Sequence, residues 1–315
     1  RCAHWDAQKA ARHLFKTLAV KKYIENMENI NTNEWFYHYT DAYGLQGILN
    51  DGAFWATDAN YLNDFKEIQL GIDYARYWLE KNRENIISRF GKTVENRLDM
   101  NMNPTPGSQS GQRMFVCSFT TESDSLSQWR AYGKDGGYAV GFLSSYMKMK
   151  ASELGLTLSE CVYEHDEINN PVALFLDQMF SSDYLADFDD TKLNHICIEI
   201  MRRSILLKGG AFKQEREWRL TPNYDFGNKN RNPQKFRIRN GVFVPYLNYE
   251  LFPSSEKQKF VKTGSDSRMP VAKLMIGPTP HKELAANGIR KLLWDLQGKY
   301  RFLSPQHSSA SFRDW

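Results

Sequence analysis

Residues 115–142 read FVCSFTTESDSLSQWRAYGKDGGYAVGF. Two apolar runs, 114–119 and 137–142, stand at its ends, and each is bounded by Ser, Thr, Asp or Gly. Short apolar runs framed by turn formers predict buried strands. The polar run 118–127 separates them and leads into Trp129, Arg130 and Tyr132. Ser123 or Asp124 is placed to cap a short helix there, and Gly133 to close it. A strand, a short capped helix and a second strand within thirty residues point to an α+β fold.

The flanking sequence extends this pattern. WFYHYT at 35–40 is aromatic and predicts a strand. Thr40 or Asp41 then caps a helix carrying Leu45, Ile48 and Leu49, with Gly52 at its C-terminal end, before a strand at 53–57. Asp64 and Glu67 fit a capping box, and Ile68, Ile72, Ala75 and Leu79 mark one helix face running to about Phe90. Residues 101–112 read as a loop, 159–163 as a strand and 171–207 as largely helical. Strands are predicted at 217–221 and 242–246 with a polar, basic loop between them. Another follows at 271–276, then a helix through Ala285, Ile289, Leu292, Leu293 and Leu296, and a last strand at 300–303. Residues 3–28 have helical spacing at Leu14, Leu18, Tyr23 and Ile24. The predicted organisation is a helical appendage at 1–33 and one domain at 34–315. That domain has a mixed or antiparallel split-sheet core and helical insertions at about 64–95 and 170–208. The strand–helix alternation is too irregular for a doubly wound sheet. GxGxxG, GxxxxGK[ST], HExxH, GxSxG and CxxC are all absent, so Rossmann, P-loop, zincin, α/β-hydrolase and thioredoxin-like sites are not indicated.

The 315 residues are 41% hydrophobic and 25% charged, which excludes a wholly disordered chain. No apolar run reaches the roughly 18 residues of a membrane span. The four cysteines, Cys2, Cys117, Cys161 and Cys197, have no framework spacing and predict reduced thiols of a cytoplasmic protein. Charge is unevenly placed. Residues 166–199 hold eight acids and one Lys, whereas 202–239 hold eleven Lys and Arg against three acids. The basic segment either attracts phosphates or faces the acidic one.

Three segments carry candidate chemistry. In FYHYTDAYGLQGIL, His38 stands at a strand end before a helix, where it can donate to a hydroxyl or phosphate. In the central segment, small hydroxyls, Trp129, Arg130 and Tyr132 suit a ligand with a ring and phosphates. In GGAFKQEREWRL, alternation on a strand puts Glu215, Glu217 and Arg219 on one face. A carboxylate there can orient a hydroxyl or stabilise positive charge on a sugar carbon. The alternatives are a packed helix for the second segment and an ion-paired edge strand for the third.

Taken together, YHYT with its short helix and Gly, NYLNDFKE, FVCSFTTESDSLSQWRAYG, FKQEREWRL and the closing SSASFRDW resemble a large bacterial family known as domain of unknown function 2971. The resemblance spans roughly residues 35–315. More distantly, the opening YHYTDAYGLQGILNDGAF and the order of an early His, a central aromatic segment and a late Glu are similar to DarT-type DNA ADP-ribosyltransferases. That resemblance implies an ADP-ribosyltransferase-like fold with NAD as substrate and no metal. It implies Glu217 and His38 as catalytic residues, His38 also holding a ribose hydroxyl of NAD. Tyr132 or Tyr61 would stack on nicotinamide, and Arg219 or Arg130 would pair with the pyrophosphate. Tyr39, Thr40, Asn63, Ser118, Ser125 and Trp129 complete the implied NAD-binding set. The implied acceptor is a nucleic acid or a protein, as for a toxin or antiphage defence effector. A cognate antitoxin or sensor protein is the expected partner, and no membrane is. If Glu217 is an exposed catalytic group, Glu217→Gln abolishes NAD turnover and changes stability by no more than about 1 kcal/mol. Two other readings stand beside this one. One is a non-catalytic nucleotide or nucleic-acid binding module that stacks bases on Trp129 and Tyr132. The other is a metal-dependent nuclease or hydrolase using Asp64, Glu67 and Glu217.

Overall fold

Alternation in WFYHYT divides the molecule. Strand β1, Trp35–Thr40, buries Phe36 on one face of a sheet and Tyr37 and Tyr39 on the other. The structure, a computed structural model, describes residues 35–62, 66–101, 114–133, 136–164, 166, 168–181, 187–222, 233–239, 241–250, 271–296, 300 and 303–310. The predicted appendage 1–33, the capping-box residue Asp64, the side chain of Glu67 and most of the loop at 101–112 lie outside these residues.

Helix α1, Ala42–Asp51, starts where Asp41 accepts a 2.7 Å hydrogen bond from the Gly44 amide. It ends at Gly52, whose φ of 61° is the left-handed C-terminal cap read from sequence. Strand β2, Ala53–Asp58, follows. The helix anticipated to run to Phe90 is broken: α2 is Lys66–Lys81, α3 Arg83–Phe90 and α4 Lys92–Asn101, with interruptions at Asn82 and Gly91. Strand β3, Phe115–Thr120, helix α5, Leu126–Tyr132, and strand β4, Tyr138–Leu143, form the central segment as expected. Ser125, not Ser123 or Asp124, occupies the cap position, and it makes no capping hydrogen bond. Helix α6 is Ser144–Glu153. The strand expected at 159–163 is two, β5 at Leu156–Glu160 and β6 at Val162–Tyr163.

Helices α7, Pro171–Ser181, and α8, Asp190–Ser204, fill the second predicted insertion, and the short β7, Leu207–Lys208, pairs with β6. Glu215 ends a 3-10 turn, Gly210–Glu215, so strand β8 begins only at Glu217 and runs to Pro222. The segment expected as a basic loop contains strand β9, Lys235–Arg239, in a hairpin with β10, Val242–Glu250. Gly241, just before β10, has φ 77°, the left-handed conformation that tight hairpin turns favour. Strand β11, Val271–Ile276, helix α9, Lys282–Asp295, and strand β12, Pro305–His307, close the chain. The last strand therefore falls after the predicted 300–303.

The ten main strands form one mostly antiparallel sheet in the order β12-β11-β4-β1-β3-β2-β10-β9, with β8 on β3 and β5 on β8. Among the described residues, β11–β12 is its one parallel pair. Strand β3 branches the sheet. It meets β2 at Phe115 and Val116, β8 from Cys117 to Thr120, and β1 at the single pair Tyr37↔Thr120. One face carries the main core, including Phe36, Phe54, Phe119, Phe142 and Leu274, with Leu45, Ile289 and Leu293 packing onto it from α1 and α9. A second cluster, with Trp78, Leu98, Phe175, Leu176 and Ile196, joins helices α2 to α4, α7 and α8.

Candidate functional site

The central motif is first of all a fastener. Tyr39 donates its hydroxyl to the Glu122 carbonyl and accepts from the Ser125 amide, both at 2.9 Å. Trp129 is 3% exposed and gives its indole N–H to Asp124 at 2.7 Å. The other Asp124 oxygen accepts from the Ser309 amide and hydroxyl at 2.7 and 2.6 Å, and Ser308 bonds the first. Burial raises the carboxyl's pKa, but hydrogen bonds from Ser308, Ser309 and Trp129 outweigh it and hold the value low. One carboxylate thus ties the TESDS loop to the SSA segment near the chain's end. Trp129 presents no exposed ring for stacking. Gly137 allows the same junction to close: a Cβ there would lie 2.3 Å from the Gly133 Cα.

Glu217 is also buried, 4% exposed. Arg219 grips it with Nε at 2.7 Å and a terminal nitrogen at 3.2 Å, Lys208 bonds it too, and Lys208 reaches Glu215 at 2.6 Å. The remaining Arg219 nitrogen goes to the Ile205 carbonyl. Burial disfavours the Glu217 charge, yet Arg219 and Lys208 more than reverse that and hold its carboxyl well below the usual range. Among the described residues, the two cations and two carboxylates meet in one buried network. Tyr132, half-buried nearby, has its hydroxyl pushed up to about 12 by burial, with the Glu217 charge adding to it.

His38 lies elsewhere. In antiparallel pairs, directly opposed residues share a face, and the row Tyr37↔Thr120↔Glu217 fixes the face of Glu217. His38, one residue on, faces the other way and packs beside Phe54 and Phe119, with ring centroids at 6.4 and 5.6 Å. Its Nδ1 is 2.8 Å from the Ser118 carbonyl, across the point where β1 and β3 diverge. A carbonyl only accepts, so Nδ1 carries the proton and Nε2 is the acceptor of the neutral ring. Burial lowers the His38 pKa, and the charge of Arg237 lowers it further. The sheet therefore separates His38 from Glu217. Ser118 and Thr40 are half-buried near His38, Ser125 is half-buried, and Arg130 is exposed. Tyr61 is 41% exposed, while Asn63 lies outside the described residues.

A second constellation stands on β2, β9 and β10. The register aligns Arg237 with Val244, and Tyr246 with both Lys235 and Thr57, so alternate residues Lys235, Arg237, Arg239, Tyr246, Thr57 and Trp55 share a face. Arg237 donates to the Thr57 hydroxyl at 2.7 Å and lies over the rings of Trp55 and Tyr246, 5.5 and 5.7 Å from their centroids. Tyr43 continues the ring series, 5.4 Å from Trp55, which is 5.2 Å from Tyr246. The Trp55 indole N–H is buried with no hydrogen-bond partner. Burial and the neighbouring Arg239 both lower the Arg237 pKa, so a neutralising anion is favoured. No carboxylate of the described residues lies within ion-pair distance of Lys235, Arg237 or Arg239, although the field of Asp41 reaches Arg237. Sequence reading placed Arg237 in a basic stretch but passed over Trp55, Tyr246 and Tyr43. The signal was there, since KFRIR and VFVPY alternate around Asn-Gly.

Among the described residues no helix is long and apolar enough to cross a membrane, and no group of three or more His, Cys, Asp or Glu is placed to hold a metal ion. No curated protein and no solved structure matches the chain significantly. Residues 128–220, from the end of the central motif through the strand of Glu217, match the family described as protein of unknown function (DUF2971).

Proposed function

We propose that the protein binds a ligand carrying both a ring and phosphate, a nucleotide or nucleic acid, on the β2–β10–β9 face. The observation that carries this reading is Arg237, laid over two aromatic rings, fixed by Thr57 and matched by no carboxylate within ion-pair distance among the described residues. A guanidinium so placed offers donors to phosphate, and the ring series beside it offers stacking surface. Calorimetric titration of the full chain with ADP and with NAD tests it. Arg237→Ala should weaken binding at least ten-fold, and unchanged affinity in that variant removes the site.

ADP-ribosyl transfer from NAD is a second reading, and His38 favours it. The ring is fixed through Nδ1 and half-buried at the branch of the sheet, where burial and then the charge of Arg237 favour its neutral form. In such a reaction nicotinamide leaves with the electron pair of its bond to ribose. An acceptor oxygen or nitrogen then bonds the anomeric carbon and loses its proton. Glu217 takes part only if it leaves the Lys208–Arg219 network and the opposite face of the sheet, so the geometry supports binding before catalysis. Nicotinamide release that persists in Glu217→Gln and disappears in His38→Ala keeps this reading without Glu217. No release with any acceptor leaves the binding reading alone.

A further inference from the structure

The geometry points to an extended single strand of nucleic acid as the ligand of the β2–β10–β9 face, tracked along β9 by Lys235, Arg237 and Arg239. This rests on the nucleotide-type site proposed above. Alternate residues of a strand are about 6.6 Å apart, close to the spacing of successive phosphates in an extended strand. The three cations project from one face at that interval because β9 pairs in unbroken register with β10. Lys235 and Arg239 are exposed, and Arg237 is half-buried between them. A mononucleotide needs one such cation, whereas a row of three matches a polymer backbone. The ring series Tyr43, Trp55 and Tyr246 runs beside this row, and Tyr43 is 59% exposed at its end. Stacking on a ring series requires unpaired bases, which a duplex keeps inside its stack. The opposite face of the β9–β10 ribbon is apolar, with Phe236, Ile238 and Phe243 exposed at 59, 66 and 67%. That apolar face points away from the cations, so the ribbon cannot present both to one membrane surface at once.

The test is fluorescence anisotropy on the full chain with a labelled 20-nucleotide mixed-sequence strand and with its duplex, over a range of salt. ADP is titrated by calorimetry in parallel, and vesicles of phosphatidylserine and phosphatidylcholine are tested by co-sedimentation. The strand should bind more tightly than the duplex. Lys235→Ala with Arg239→Ala should lower the log–log salt slope by about 1.4, two cations at about 0.7 each. Tyr43→Ala should weaken strand binding about ten-fold at unchanged salt slope. These three side chains are exposed, so their loss leaves the fold intact. Equal affinity for duplex and strand, or an unchanged slope in the double variant, overturns the inference. Binding of ADP without the strand overturns it but keeps the nucleotide site. Binding to vesicles alone, or to none of the probes, overturns both.

Discussion

Glu217 shows how burial changes the meaning of a residue. An exposed catalytic carboxylate tolerates Gln with little loss of stability. Here the substitution removes a carboxylate that both Lys208 and Arg219 bond, in a site where both cations are buried. Breaking a buried ion network by removing one partner costs about 3–5 kcal/mol. Glu217→Gln should therefore lower the unfolding free energy by that amount in urea denaturation, and a loss below 1 kcal/mol would mean that the network is open to water. The pH dependence has a definite sign. The folded-state pKa of Glu217 is lowered, so its contribution is complete above the unfolded value of about 4.3 and fades as pH falls toward the folded value. Acid unfolding of Glu217→Gln should be flatter in that window than that of the parent. Asp124 works on the same scale. Asp124→Ala strands the buried Trp129 N–H and should cost about 1–3 kcal/mol, with a shift in tryptophan fluorescence as the indole loses its partner.

Close approaches between elements depend on what is missing from a side chain. Strand β4 starts against the end of α5 and the end of β1, and Gly137 is the contact point. Its added Cβ would meet backbone, the Gly133 Cα at 2.3 Å and the Thr40 carbonyl at 3.1 Å, which no rotamer change relieves. Gly137→Ala should destabilise by more than about 2 kcal/mol in thermal denaturation, whereas Gly288→Ala, with open space around its Cβ, should be neutral or stabilising. In the β9–β10 hairpin Arg237 pairs with Val244, and a register slip of one residue would send the three cations to the opposite face.

At the scale of the whole molecule, the two largest hydrophobic clusters of the described residues lie one on the sheet and one among the inserted helices. The bond from Arg219 on β8 to the Ile205 carbonyl at the end of α8 links the sheet to these helices. Phe142→Ala in the first cluster and Leu176→Ala in the second should each lower the midpoint of a single calorimetric transition, at about 3–5 and 2–5 kcal/mol. Two resolved transitions, only one of which responds to Leu176→Ala, would show that the helices unfold separately. Period and punctuation in the sequence determined β1, α1, β3, α5 and β4, since alternation, a capping Asp41 and closing glycines act over a few residues and need no distant partner. The helix break at Asn82 was harder to read, because its local signal is weak, whereas Gly91 and the alternation of 235–239 before Asn-Gly were local signals that went unread. The chain's own order of residues also singled out His38, Glu217 and Trp129 as unusual. Only the tertiary structure decided what they do, because sheet register, which pairs residues some eighty to two hundred positions apart, puts His38 and Glu217 on opposite faces. Asp124 and Tyr39 hold Trp129 inward, and strand pairing brings Trp55 beside Arg237 and Tyr246 from a distant part of the chain.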